Sequence, residues 1–229
     1  MPARVALLGD RDLSYVTHRE LAAAVAQLPA EVSAEWVGSD TPAARAPVGF
    51  DALWVIPGTP YRDDDAVLAA IGWALESGTP LLGTCGGFQY AAVALARGLF
   101  GIPGAAHAEA DPEAESAIAV PLACSLVGAE REVTPVGGTR LAAICGSEPF
   151  TGFHFCSYGL AERYVEPLER AGVVIGARAP DAGVEAIELP SHPFFLATLF
   201  QPQVGALAGR PLHPLIHALC DAARGLVAR

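Results

Sequence analysis

The stretch Pro80-Leu-Leu-Gly83-Thr-Cys85-Gly-Gly87-Phe-Gln89 decides the fold. A short apolar pair, Leu81 and Leu82, runs into Gly83. A cysteine flanked by small residues follows, and then an Ala-rich amphipathic segment over 89–97. This order predicts strand, tight turn and helix, with Cys85 at the apex. Such an elbow holds the apical side chain in a cramped backbone conformation and exposes its sulfur. It also sets the sulfur beside helix N-terminal N–H groups, which favour a thiolate and can bind an oxyanion. Cys85 is the first candidate nucleophile. The plain alternative is a buried cysteine packed as a small hydrophobe.

Upstream, 4–8 (R-V-A-L-L) reads as a first buried strand ending at Gly9-Asp10, and 13–28 as a helix with apolar positions three and four apart. Residues 31–37 and 52–56 (A-L-W-V-I) read as further strands, the second closed by Pro57-Gly58. A helix over 63–77 follows, its acidic start suited to the positive end of the helix dipole. Strands alternating with helices predict an α/β fold with an open, mainly parallel sheet and helices on both faces. Ligands of such sheets sit beyond the strand carboxyl ends. The loops at Gly9 and Pro57-Gly58 would meet the Cys85 elbow there.

Downstream, 98–115 reads as a loop carrying His107, Glu109 and Asp111. Residues 117–120, 131–136 and 139–144 read as a mixed β region. An aromatic stretch, F-T-G-F-H-F-C-S-Y over 150–158, places His154 and Cys156 two apart. Residues 164–171 read as a short helix, 173–177 and 184–189 as a hairpin, 194–200 as a last strand and 213–227 as a closing helix. With no repeat and no long linker, residues 1–229 are expected to form one domain.

Composition limits the function classes. The chain has 229 residues with 14 basic and 25 acidic groups, a formal net charge of −11, which argues against nucleic acid and anionic membranes as partners. Every basic residue is arginine and no lysine occurs, the mark of a GC-rich, bacterial genome. No signal peptide is apparent, and no uncharged apolar run is long enough to span a membrane. The five cysteines, 85, 124, 145, 156 and 220, lack the spacing of a disulfide framework or zinc site, so reduced thiols in the cytoplasm are expected.

The segment Gly83-Thr-Cys85-Gly-Gly87-Phe-Gln89 resembles the nucleophile motif of class I glutamine amidotransferases. Ala108-Glu109-Ala-Asp-Pro-Glu113, Val136-Gly-Gly-Thr-Arg-Leu141 and Val184-Glu-Ala-Ile-Glu-Leu-Pro-Ser-His-Pro-Phe-Phe195 are similar to the glutaminase domain of CTP synthase, in collinear order. The resemblance implies a class I glutamine amidotransferase-like, flavodoxin-like fold, without the large synthetase domain that precedes the module in that family. It implies Cys85 as nucleophile, Gly58 and Gly86 as oxyanion donors, and Gln89 and Glu109 as substrate-binding residues, Glu109 at the glutamine amino group.

Other positions depart from the pattern. The histidine and glutamate of the family's F-H-P-E motif fall on Gln201 and Gln203. A carboxamide takes up no proton at neutral pH, so neither can serve as general base, a role worth on the order of 10²- to 10⁴-fold. The family's carboxylate-gripping arginine falls on Ser157, removing a contact of roughly 1.5 to 3 kcal/mol. No glutamine-dependent ammonia release is therefore predicted.

His154 and Cys156 are the candidate replacements, as acid/base or as redox partner. Both would face the pocket if 150–158 were extended throughout, and the alternative is a packed His154 bonded to backbone. His18 and His107 fall near the strand carboxyl ends, and nothing in the sequence chooses between them. His192 reads as structural, His213/His217 as a solvated pair and Asp63-Asp64-Asp65 as a helix start, so no metal or other cofactor is implied. The favoured reading is a Cys85-dependent hydrolase or transferase acting on a small molecule; the alternatives are an inactive binding or regulatory module, with a synthetase chain or a second copy as possible partner, and a thiol redox protein using Cys85 and Cys156.

Overall fold

The structure, a computed structural model, describes residues 1–99 and 101–225. The chain runs β1 (Ala3–Leu8), α1 (Val16–Val25), β2 (Val32–Val37), β3 (Ala52–Val55), α2 (Asp64–Ser77), β4 (Leu81–Thr84) and α3 (Gly86–Leu99). Then come β5 (Ala106–His107), β6 (Ala117–Pro121), β7 (Ala129–Pro135), α4 (Arg140–Cys145), β8 (Phe150–His154) and β9 (Tyr158–Leu160). The last elements are α5 (Val165–Arg170), β10 (Val174–Ala179), β11 (Gly183–Glu188), β12 (Phe195–Thr198) and α6 (Pro214–Ala223). The closing helix begins one residue after His213, which is its N-cap. Its expected continuation over 226–227 lies outside the described residues.

A nine-stranded sheet has the order β2-β1-β3-β4-β12-β11-β10-β7-β8. The pairs from β2 through to β12 are parallel, and those from β12 to β8 are antiparallel. In the parallel half successive side chains go to opposite faces. Ala6 and Leu8 of β1 pack in the core under α2 and α3, while Val5 and Leu7 pack with Leu21 of α1 and Leu215 and Leu219 of α6. Both faces are covered, which explains why these strands read as unbroken apolar runs. A small sheet, β5-β6-β9, stands beside α3.

One expected strand is a helix. Residues 139–144 look β-like because short apolar runs carry no period of their own. Thr139 caps them as a helix instead, its hydroxyl accepting from Ala142 N at 3.2 Å. The Glu188 carboxylate accepts from the Arg140 and Leu141 backbone N–H groups at 2.9 and 2.6 Å, a tertiary cap that the segment itself does not announce.

Candidate functional site

Cys85 stands between β4 and α3 with φ at 53°, the sole non-glycine residue in the left-handed region among those described. For a residue with a Cβ this conformation costs of order 1–3 kcal/mol and persists only where the surroundings impose it. Here they do. The Cys85 N–H bonds Thr198 O at 2.8 Å, carrying the β4–β12 pairing one residue past the strand, and Cys85 O accepts from Phe88 and Gln89 as the helix begins. Gly87 lies so close to β3 that a Cβ would overlap the Val55 carbonyl oxygen, and one on Gly86 would stand 2.6 Å from Thr59 Cγ2. The glycines after Cys85 are there for close approach.

The elbow opens on a cavity of about 370 Å³ at the carboxyl ends of the parallel strands. Its walls come from the loop after β1 (Asp10 to Asp12), the turn Pro57 to Arg62, Gln89 and Glu109, the segment Phe155 to Tyr158, and Gln201. His18 pins the Pro57-Gly58 turn. Its Nδ1 accepts from Asp12 N at 3.0 Å, so its Nε2–H donates to Pro57 O at 2.7 Å. Gly58 lines the cavity and Gly86 opens α3 against the Gly58 carbonyl.

A second histidine holds the far wall. His107 accepts from Glu109 N at Nδ1 (3.1 Å) and bonds Gln89 Oε1 through Nε2 (2.9 Å), while Gln89 Nε2 donates to Tyr158 O at 2.7 Å. Burial pushes His107 down to about 4, so the ring is neutral at pH 7. Gln89 is thus spent on structure at both ends of its carboxamide. Glu109 is oriented from behind, and its Oε2 is buried without a partner.

Two groups stand at the Cys85 sulfur. Its S–H points to Phe155 O at 3.7 Å, and the Cys156 thiol lines the same cavity. Cys156 is held far above the usual thiol range, first by a side-chain hydrogen bond with Cys85, then by burial, and then by the charges of Cys85 and Glu185. Both cysteines are buried and free.

His154 is not brought to the cavity. Strand β8 ends at His154, Phe155 and Cys156 follow outside the ladder, and the chain bends at Ser157. His154 turns into the protein, fully buried, and its Nε2 meets both Glu185 oxygens at 2.9 and 3.0 Å. Glu185 is the residue the sequence reading passed over. A carboxylate in the buried run V-E-A-I-E demands a partner, and that demand is its signal.

The remaining candidates sit as follows. Gln201 and Gln203 are buried against each other, Gln203 Nε2 donating to Gln201 Oε1 at 2.7 Å, and Gln201 lines the cavity. Ser157 bonds Ser125 Oγ at 3.1 Å and offers no cation. His192 bonds Ala74 O and Phe194 N, and His213 accepts from Leu215 N in capping α6, so His213 and His217 do not form a solvated pair. Asp63 caps α2 by accepting from Ala66 N, and Asp64 accepts from Tyr61 N. Among the described residues no group of ligating side chains has the arrangement of a metal site, and no helix is long and apolar enough to cross a membrane.

A left-handed cysteine at a strand–helix elbow, in line with two glycine-bearing turns at the ends of parallel strands, is the architecture of the class I glutamine amidotransferase-like proteins. Comparison agrees on the fold and narrows the family. The Peptidase C26 family matches residues 57–203. A CTP synthase of Pyrobaculum aerophilum is 33% identical over 94% of this chain, and one of Rubrobacter xylanophilus is 33% identical over 97%. The chain spans 43% of the length of each. The glutaminase domain of Trypanosoma brucei CTPS, solved with bound acivicin, superposes with a TM-score of 0.83 at 24% identity, covering 97% of this chain and 94% of that one. The chain therefore belongs to the Peptidase C26, class I glutamine amidotransferase-like family and is homologous to the glutaminase domain of CTP synthase.

Proposed function

We propose that this amidotransferase scaffold carries thiol–disulfide exchange, with Cys85 reacting first and Cys156 second. The observation that carries the reading is a pair of free, buried thiols, Cys85 and Cys156, lining one cavity. Hydrolysis of an amide needs an acid for the departing amine, and among the described residues no histidine is free to supply one at Cys85. His154 is turned away, His18 and His107 spend both ring nitrogens on protein partners, and Gln201 and Gln203 are carboxamides. A departing thiolate needs no such help.

The reaction begins with the Cys85 thiolate attacking a small disulfide: the Cys85–S bond forms, the substrate S–S bond breaks, and the first thiol leaves as thiolate. Once Cys85 is a neutral mixed disulfide, its charge no longer holds the proton on Cys156. Cys156 then gives up its proton to solvent and attacks Cys85. The protein disulfide forms and the second thiol leaves; the protein is oxidised by two electrons and the substrate reduced to two thiols. A thiol reductant reverses the sequence. The partnerless Glu109 oxygen in the wall favours an amine-bearing substrate, and Ser157 in place of an arginine favours one without a carboxylate. Backbone N–H groups of Gly58 and Gly86, oxyanion donors by family position, are not needed for this step. The reading takes residues 1–229 as one unit working in a reducing, cytoplasmic environment, without metal or other cofactor.

Cystamine, a disulfide of this class, tests it: two equivalents of thiol per protein are expected, with no ammonia from glutamine. Ammonia release at enzymatic rates, or a mixed disulfide that persists on Cys85, would overturn the reading. A second reading is a small-molecule-binding module docked on a synthetase chain or a second copy, favoured by the CTP synthase relatives of more than twice this length. It predicts ligand binding that a Cys85→Ser change leaves intact. A Cys85-dependent hydrolase or transferase has, among the described residues, no histidine at the Cys85 sulfur to favour it over these two.

A further inference from the structure

The Gln201–Gln203 pair leaves one conspicuous pair of atoms. Gln203 Nε2 donates to Gln201 Oε1 at 2.7 Å, while Gln201 Nε2 and Gln203 Oε1 are buried without any partner. The two residues are 2% and 1% exposed. The main chain is fixed as well: Gln201 N donates to Phe153 O at 2.8 Å, and Thr198 Oγ1 donates to Phe200 O at 2.8 Å. Gln201 lines the Cys85 cavity and Gln203 does not. The free N–H group therefore belongs to the residue at the cavity wall, and the hydrogen bond from Gln203 sets which way it faces.

A buried donor without an acceptor is costly, and a state that supplies the acceptor is favoured by removing that cost. Ionisation of Cys85 supplies one. The protonated sulfur donates to Phe155 O, whereas the thiolate has no proton to give and seeks donors. We propose that Gln201, oriented by Gln203, donates its free N–H to the ionised Cys85 sulfur. By resemblance these positions take the place of the family's histidine and glutamate, and a carboxamide keeps a donor there without proton transfer. The role rests on the reading that Cys85 works as a thiolate nucleophile in exchange.

The test uses the full chain carrying Cys156→Ser, with iodoacetamide labelling of the Cys85 peptide followed by mass spectrometry from pH 5 to 10. Gln201→Leu is expected to move the rate profile up by about one pH unit, a fall of about tenfold in labelling rate below its midpoint. Gln203→Leu keeps the donor but frees its orientation, and moves the profile part of the way. A residue with a purely structural role would not move the profile. A Gln201→Leu profile superimposable on that of the parent overturns the proposal. Should Gln201→Leu not fold, an unmoved Gln203→Leu profile overturns it equally. Failure of the wild-type chain to form a Cys85–Cys156 disulfide would sink the exchange reading alone, because the donor role is read in a background lacking Cys156.

Discussion

Lowering the pH from 7 to 5 is expected to cost this protein stability through His107. Burial sets its folded value at about 4 against 6.5 for the free side chain. Between those values the unfolded chain binds a proton that the folded chain refuses, so stability is fully present above pH 6.5 and drains away as the pH falls toward 4. The full window is worth roughly 3 kcal/mol, and about 2 kcal/mol of it is lost by pH 5. The same proton would take away the Nδ1 lone pair that accepts from Glu109 N, so the cavity wall loosens with it. Urea denaturation of wild type and His107→Gln at pH 7, 6, 5 and 4.5 measures the effect. Gln in place of His107 should lower stability at pH 7 by about 1 kcal/mol and flatten the slope by one proton's share. His213, also pushed to about 4 by burial, keeps its own share in both proteins. Identical slopes in wild type and His107→Gln would refute the assignment.

Three substitutions probe the frame around the site. Gly72, in α2, has open space where a Cβ would go, so Gly72→Ala should stabilise by about 0.5–1 kcal/mol in thermal denaturation. Gly87→Ala drives a methyl into the Val55 carbonyl and should destabilise by at least ~2 kcal/mol in the same assay. Glu185→Ala strands fully buried His154 without its hydrogen-bond partner and is expected to cost about 2–3 kcal/mol, against about 1 kcal/mol for Glu185→Gln, which keeps an acceptor. Equal losses for the two Glu185 variants would show that the carboxylate does not hold His154.

The elbow was legible because its requirements are local: apolar strand, Gly83, a lone cysteine, and glycines where α3 presses on β3. The helix dipole and capping logic also placed α2 from Asp63 onward. What the sequence did not disclose depends on distant partners. Residues 139–144 became helix because Glu188, 47 and 48 positions from the N–H groups it accepts from, caps them. His154 left the cavity because Glu185, 31 positions away, offered it two oxygens, which no alternation in F-T-G-F-H-F-C-S-Y foretells. His107 and His18 were both visible as histidines near the strand ends. Their work, holding Glu109 and the Pro57-Gly58 turn, lies in backbone contacts that composition cannot name. Cys156 was visible, but that it shares a cavity with Cys85 is a matter of tertiary packing between β8 and the elbow.

The central claim is that Cys85 and Cys156 are reaction partners. The direct measurement is peptide mapping by mass spectrometry after one equivalent of cystamine at pH 7, followed by a quench of the remaining thiols. The expected product is a single disulfide joining the Cys85 and Cys156 peptides, two mass units lighter than the dithiol, and reversible by a monothiol. A Cys85 peptide that carries only cysteamine, with Cys156 still free to alkylate, would contradict it.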